Sequence, residues 1–160
     1  MNKKITILGI GNILLSDEGV GIRIIERLQD LYEFPENVSI IDGGVLGFGL
    51  LGIICEADIL IAIDAIKNNQ APGTVYIINH DEIFTRMRAK NSIHQIDFLE
   101  TLSACKLLDK LPIIKIFGIE PKDIYTLSLD LSDIVSSKIR EIIDLVLLEL
   151  KNLNIFYKAK

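Results

Sequence analysis

ITILGIGNILLSDEGVGIRIIERLQDL, residues 5–31, decides the fold of this chain. Its first six residues form a nearly continuous apolar run that ends at Gly11, which is typical of a strand buried on both faces of a parallel sheet. Residues 16–31 then carry apolar side chains at helical spacing, namely Val20, Ile24, Ile25, Leu28 and Leu31. A buried strand followed directly by an amphipathic helix predicts the first half of a β–α–β unit.

The rest of the chain repeats this alternation. Further strands are predicted at 38–41, where Asp42-Gly43-Gly44 stops the strand, at 59–63 and at 113–119. Helices are predicted at 48–55, at 132–153, and from a capping box at 92–95 to about residue 108. The strand at 74–78 follows Asp64 by only nine residues, fewer than a parallel crossover needs, so we expect it to run antiparallel. The predicted fold is α/β: residues 1–160 form one three-layer αβα sandwich around a twisted, mostly parallel five-stranded sheet.

Composition excludes several classes of protein. The chain has 160 residues, 49% hydrophobic and 24% charged, which is ordinary globular usage. A net charge of −5 argues against a nucleic-acid partner. The longest uncharged apolar run has the 13 residues of 43–55, too few to span a membrane. Cys55 and Cys105 form neither a disulfide framework nor a metal knuckle. We expect a cytoplasmic monomer that does not insert into membranes.

Acidic residues follow three of the predicted parallel strands. Asp17 and Glu18 follow the first strand, Asp42 the second and Asp64 the third, while His94 opens a later helix. Because ligands bind at the carboxyl ends of the strands in such sheets, these groups are expected to meet in one cleft. Two carboxylates and an imidazole suit a cation such as Ni²⁺ or Zn²⁺.

Each of these residues also has a structural explanation. Asp17 and Glu18 would lie in a first helical turn, where the helix dipole favours carboxylates. Asp42 and Asp64 could form turns or caps. A single histidine is more often structural than a ligand, and His80 is interpreted as a solvated turn residue.

The Gly9-Ile10-Gly11 sequence raises a nucleotide-binding alternative. Leu14 occupies the third glycine position of the dinucleotide fingerprint, and the acids of the next helix would repel a pyrophosphate. The pattern therefore weakly supports a nucleotide site.

In order along the chain, these motifs resemble those of the [NiFe] hydrogenase maturation proteases. The motifs are LGIGNILL at 8–15, SDEG at 16–19, DGG at 42–44 with Gly47, IDAI at 63–66, APGT at 71–74, SIHQ at 92–95 and GIEP at 118–121. One position departs from the family pattern, since Val45 stands where a threonine is usual.

The resemblance implies a function and a set of site residues. It implies an aspartic-type endopeptidase that removes the C-terminal extension of a [NiFe] hydrogenase large-subunit precursor after nickel insertion. Glu18, Asp64 and His94 would bind the metal, and Asp42 would be catalytic, orienting or deprotonating a water. Asn12, Gly43 and Gly44 are expected to bind the substrate.

The resemblance also implies the source of the metal. The nickel would be supplied by the precursor and would act as its recognition element, while Zn or Cd can occupy the site in vitro. Two alternatives remain open at this point: a non-catalytic chaperone that checks nickel loading, and a nucleotide-binding α/β protein.

Overall fold

The computed structural model describes residues 2–87 and 93–160, and of residues 87 and 93–95 it describes only the backbone. The strands in these ranges are β1 (Ile5–Ile10), β2 (Tyr32–Glu33), β3 (Val38–Gly44), β4 (Ile59–Ala65), β5 (Val75–Asn79), β6 (Ile113–Ile119) and β7 (Lys158–Ala159). The helices are α1 (Val20–Leu31), α2 (Leu51–Glu56), α3 (Ile83–Met87), α4 (Ile93–Leu107), α5 (Asp133–Ser136) and α6 (Ile139–Asn152).

Five of the strands form one sheet in the order β3-β1-β4-β6-β5. β3, β1, β4 and β6 run parallel to one another. Every residue of β1 and of β4 is buried, as their continuous apolar sequences predict. The mostly parallel five-stranded sheet is therefore confirmed.

Helices cover both faces of this sheet. On one face α1 and α6 pack their apolar stripes against the strands, through residues such as Ile24, Leu28 and Val146. On the other face α2, α3 and α4 contribute Ile54, Ile83, Phe98 and Leu102. We call these the α1–α6 face and the α2–α4 face.

The antiparallel strand is also confirmed. β5 pairs antiparallel with β6, from Val75 opposite Ile119 to Asn79 opposite Lys115. The short connection from β4 allows the chain to turn back beside β6 but leaves no room for a crossover helix.

The prediction that Asp42-Gly43-Gly44 stops the second strand at residue 41 is wrong. β3 continues to Gly44, with Asp42 opposite Gly9 and Gly44 opposite Ile10. The chain advances by one residue along β1 and by two residues along β3 over the same distance. Gly43 is therefore the extra residue of a bulge. A Cβ on Gly43 would contact Leu8 and Leu50, so the bulge fits a glycine.

The single closing helix predicted at 132–153 is divided in two. α5 ends at Ser136 and α6 begins at Ile139. Between them the Ser137 hydroxyl donates to the carbonyl of Ile134, and the Lys138 N–H bonds to Val135 three residues back. A serine hydroxyl that bonds a carbonyl of the preceding turn competes with the helical hydrogen bonds and favours a break or bend at this point.

Three short elements were not predicted. α3 precedes the undescribed residues, and β2 pairs antiparallel with β7 in a separate two-stranded ladder. Tyr32, Phe34 and Tyr157 pack their rings together beside that ladder, at centroid distances of 5.4–6.3 Å. Among the described residues, no helix combines the length and apolar character that crossing a bilayer requires.

Candidate functional site

Asp42 and Asp64 lie at the carboxyl end of the parallel strands, with β1 between them. Gly9 of β1 is opposite Asp42 on one side and Ile63 on the other. Two strand spacings therefore separate the backbones of the two aspartates, about 10 Å. Asp64 is buried, with 2% exposure, whereas Asp42 is exposed.

The two carboxylates start from opposite faces of the sheet. Ile40 packs into the α1–α6 face, so the alternation of side chains along β3 places Asp42 on that face. Ala62 packs into the α2–α4 face, which places Asp64 there, on the side of α4. The side chains of Asp42 and Asp64 therefore leave the sheet on opposite faces.

Glu18 lies in a single 3-10 turn, Ser16–Gly19, between β1 and α1. The turn packs against β4, and Glu18 is half-buried. A Cβ on Gly11 would overlap the carbonyl oxygen of Glu18, so Gly11 allows this turn to fold back over the end of β1. The space that a pyrophosphate needs above this glycine is filled by the protein's own backbone, which disfavours the nucleotide alternative.

Asp17, next to Glu18, is fully buried and binds a distant loop. Its Oδ2 accepts hydrogen bonds from the N–H groups of Lys122 and Asp123 and from the Ser132 hydroxyl, at 2.8–3.0 Å. Its Oδ1 accepts the Ser132 N–H at 2.7 Å. A dipole effect at a helix terminus does not account for these contacts. Asp17 is the anchor of the loop 122–132.

The same loop is held along its length. The N–H of Ser16 donates to the Ser128 carbonyl, and the N–H of Ser128 donates to the Leu14 carbonyl, both at 2.9 Å. Hydrogen bonds from Thr126 and Tyr125 to Asp123 lower the pKa of that carboxyl below its ordinary value. The turn that carries Glu18 and the loop after β6 therefore form one unit.

A second buried carboxylate, Glu120, organises the loop after β4. It accepts the N–H of Asn68 at 2.9 Å, the N–H of Gln70 at 2.6 Å and the hydroxyl of Tyr76 at 3.2 Å. Burial, followed by the nearby charge of Glu120, raises the pKa of Tyr76 to about 12. The sequence predicts Asp17 as a cleft residue or a helix-dipole residue and predicts no anchoring role for Asp17 or Glu120, since nothing in the sequence pairs Asp17 with amides more than 100 residues away.

The expected substrate-binding residues adjoin Asp42. The N–H of Gly44 donates to Asp42 Oδ1 at 2.9 Å, and the N–H of Gly11 donates to the Gly44 carbonyl at 2.9 Å. Asn12 Oδ1 accepts the Leu14 N–H at 3.0 Å. Asn12, Gly44 and Asp42 thus lie along one edge of the site, while Gly43 is buried in the bulge.

The structure describes the side chain of His80 but only the backbone of His94. His94 is the second residue of α4, and its side chain lies outside the described part of the chain, as does the predicted cap, Ser92. His80 is not simply solvated, because its Nδ1 accepts the Ile114 N–H at 3.1 Å. Where side chains are described, no three His, Cys, Asp or Glu residues cluster closely enough to hold a metal.

Cys105 does not offer a nucleophile. Cys105 is fully buried, and its burial beside Cys55 raises the pKa of its thiol to about 12. A thiol with that pKa carries almost no thiolate at neutral pH. The candidate groups at this site therefore remain the carboxylates and the side chain of His94.

The loops around the site expose large apolar side chains. They are Leu14 after β1, Val45, Leu46 and Phe48 after β3, and Tyr125, Leu127 and Leu129 after β6, each at least half exposed. Apolar side chains grouped around a polar cleft are typical of a surface that contacts another protein. We call these loops, together with residues 66–73, the rim.

Sequence comparisons identify relatives of this chain. A family model described as hydrogenase maturation protease matches residues 22–149. The hydrogenase expression/formation protein HupD of Bradyrhizobium diazoefficiens is 40% identical over 147 residues, which cover 90% of this chain and 76% of that protein. The hydrogenase 2 maturation protease of Escherichia coli is 42% identical over 110 residues, covering 68% of this chain and 67% of that protein.

Solved structures agree with these relatives. The hydrogenase maturating endopeptidase HybD from E. coli matches with a TM-score of 0.94 and 34% identity, over 98% of each chain. The [NiFe] hydrogenase maturation protease HybD from Thermococcus kodakarensis matches with a TM-score of 0.75 and 26% identity, over 89% of this chain and 96% of that one. This chain therefore belongs to the hydrogenase maturation protease family.

Proposed function

We propose that this chain is an endopeptidase that removes the C-terminal extension of a [NiFe] hydrogenase large-subunit precursor after nickel insertion. The observation that carries the proposal is the match, over nearly the whole of both chains, to an endopeptidase of hydrogenase maturation. The carboxylates at the sheet edge add chemical support, because they lie where ligands bind in open α/β sheets.

In this proposal the nickel belongs to the substrate and serves as its recognition element. Glu18 and Asp64 approach from the turn before α1 and from the end of β4, and His94 lies at the start of α4. Carboxylate oxygen and imidazole nitrogen are suitable donors for nickel. A precursor without nickel would lack the group that these residues hold, and its cleavage site would not be positioned.

Asp42 is proposed as the residue that orients or deprotonates the attacking water. Its Oδ1 accepts the Gly44 N–H, and Oδ2 is the oxygen proposed to contact the water. A general base must lie within hydrogen-bond reach of the proton it removes, and an exposed carboxylate on the strand edge meets that requirement once a peptide is bound.

The decisive experiment incubates the purified chain with nickel-loaded and with nickel-free precursor and measures the mass of any released peptide. We expect release of the extension from the nickel-loaded precursor alone. Asp42→Asn should slow release at least a hundredfold while leaving precursor binding within threefold.

Each other result has a definite meaning. Equal cleavage of both precursors would refute recognition through nickel. Binding of the nickel-loaded precursor without cleavage would instead identify a non-catalytic chaperone that checks metal loading. Near-normal cleavage by Asp42→Asn would remove Asp42 from the chemistry.

A further inference from the structure

The two edges of the sheet differ in whether their outward-facing backbone groups are bonded. At the β5 edge, Arg86 Nη1 donates to the Ile77 carbonyl at 3.1 Å, and the Asn79 N–H donates to Glu82 Oε2 at 3.4 Å. Arg86 and Glu82 also pair with each other at 3.1 Å. Side chains from the following helical segment therefore cover part of this edge, a common way of protecting exposed strands in natural sheets.

The β3 edge is open over its carboxyl half. The Ile5 N–H donates to the Asn37 carbonyl, so residues 37, 39 and 41 turn their backbone groups toward β1. Val38, Ile40 and Asp42 turn theirs outward. The Val38 N–H is taken by the Pro35 carbonyl. Within residues 2–87 and 93–160, no hydrogen bond reaches the outward N–H or C=O of Ile40 or Asp42.

A surface depression lies on each side of this open edge. On the α2–α4 face it is lined by Ser39, Ile41 and Ile53, among others. On the α1–α6 face it is lined by Ile40, Tyr32 and Phe34, among others. A strand laid against β3 would direct alternate side chains toward these two depressions, the arrangement by which added strands are recognised.

We propose that the precursor's extended segment at its cleavage site binds as an added strand on the open edge of β3. The backbone of the precursor segment forms hydrogen bonds to Ile40 and Asp42. The precursor then continues over Val45, Leu46 and Phe48, which are exposed directly beyond β3. This inference rests on the proposed function and adds how the peptide is held. Since Asp42 belongs to the same edge, the added strand passes its carboxylate.

The length of the open edge favours a peptide over a second copy of this chain. In the described part of the chain, the outward groups without a hydrogen bond along this edge are the Val38 C=O and the N–H and C=O of Ile40 and of Asp42. These groups can pair with about five residues of a partner. A stable dimer buries about 1,200 Å² or more, and a ladder of this length supplies only a small part of that area. An extended peptide needs no more than this edge and its flanking depressions.

The kinetic test uses prolines placed at outward-facing amides. Ile40→Pro removes an N–H that does not bond β1, and proline is tolerated on edge strands. We expect it to raise the KM for nickel-loaded precursor at least tenfold, with kcat within twofold. Ile40→Ala keeps the N–H, and the rise in KM should be no more than a third of the rise caused by Ile40→Pro. Ile77→Pro, the same change at the covered edge, should cleave like the unaltered chain.

A second readout does not depend on the proline variant folding. In the Asp42→Asn chain, which keeps both backbone amides, residue-resolved hydrogen exchange is measured with and without nickel-loaded precursor. The backbone amides of positions 40 and 42 should exchange at least tenfold more slowly with precursor, while those of Ser39 and Ile41 are already protected by β1.

Three results would overturn the inference. The first is an unchanged KM for a folded Ile40→Pro chain, and the second is unchanged hydrogen exchange at both amides when precursor is added. The third is protection of these amides that increases with the concentration of this chain in the absence of precursor, together with a doubled molecular mass. The last would assign the edge to a second copy. Failure of the unaltered chain to release peptide would instead contradict the proposed function, because exchange reports strand addition without cleavage.

Discussion

At the scale of single residues, two neighbouring acids have entirely different surroundings. Asp17 is buried and accepts four hydrogen bonds from the loop 122–132. Glu18 is half-buried at the site. The same sequence feature, an Asp-Glu pair before a helix, therefore combines a structural anchor with a candidate ligand.

This difference can be tested by two matched amide substitutions. Asp17→Asn replaces an acceptor oxygen by a donor that faces N–H groups, so it should lower the free energy of unfolding by about 3 kcal/mol. Glu18→Gln should change it by less than about 0.5 kcal/mol but should reduce precursor cleavage at least tenfold. Urea unfolding measures the first effect and peptide release the second. Equal stability of the two variants would contradict the anchoring role of Asp17.

Tyr76 predicts how stability depends on alkaline pH. Its pKa is raised to about 12 in the folded chain, chiefly by burial, against about 10 in an unfolded chain. The folded state therefore keeps a proton that the unfolded state loses, and stability present below pH 10 is lost as the pH rises toward 12. The loss amounts to about 1 kcal/mol by pH 11.

The measurement compares the unaltered chain with Tyr76→Phe by urea unfolding at pH 8 and at pH 11. All other titrating groups are shared by the two proteins, so the difference between them isolates Tyr76. That difference should shrink by about 1 kcal/mol over this pH interval. A constant difference would mean that Tyr76 titrates normally.

At the scale of elements, glycines let α1 pack closely on the sheet. A Cβ on Gly21 would overlap the carbonyl oxygen of Ile63 in β4. Gly52 in α2 has no atom within 4 Å of such a Cβ. The two helical glycines thus offer opposite environments for the same substitution.

Gly21→Ala should destabilise the chain by about 3 kcal/mol, because backbone on both sides must move apart. Gly52→Ala should stabilise it by about 0.5–1 kcal/mol, because alanine favours the helix and reduces the freedom of the unfolded chain. Thermal unfolding of both variants gives the comparison. A melting temperature for Gly21→Ala at or above that of the unaltered chain would show that α1 is not held at this distance.

The elements that could be predicted are those with a strong local pattern. β1 and β4 were predicted because both of their faces are apolar, and the direction of β5 followed from the length of its connection. The bulge at Gly43 could not be predicted, because it depends on the pairing of β3 with β1, which forms only in the folded chain. The break at Ser137 is local, since its hydroxyl bonds a carbonyl only three residues back, but the apolar spacing alone did not indicate it.

At the scale of the whole molecule, topology brings the candidate site together. Glu18 follows β1, and Asp42 and Asp64 lie at the carboxyl ends of β3 and β4, as the order of the strands predicts. That these residues meet in one cleft stays a prediction. Their roles, and that of His94, stay predictions. The opposite faces from which Asp42 and Asp64 start follow from the register of three strands, which the sequence does not encode locally.

The buried carboxylates Asp17 and Glu120 have a consequence for association. They join loops that follow different strands, and Lys67 Nζ adds a further link to the Tyr125 hydroxyl at 3.1 Å. A surface shaped before its partner arrives loses little conformational entropy on binding. If the proposed precursor is the partner, the ordering cost of association then falls mainly on the precursor, so the affinity depends on how much conformational freedom its bound segment has before binding.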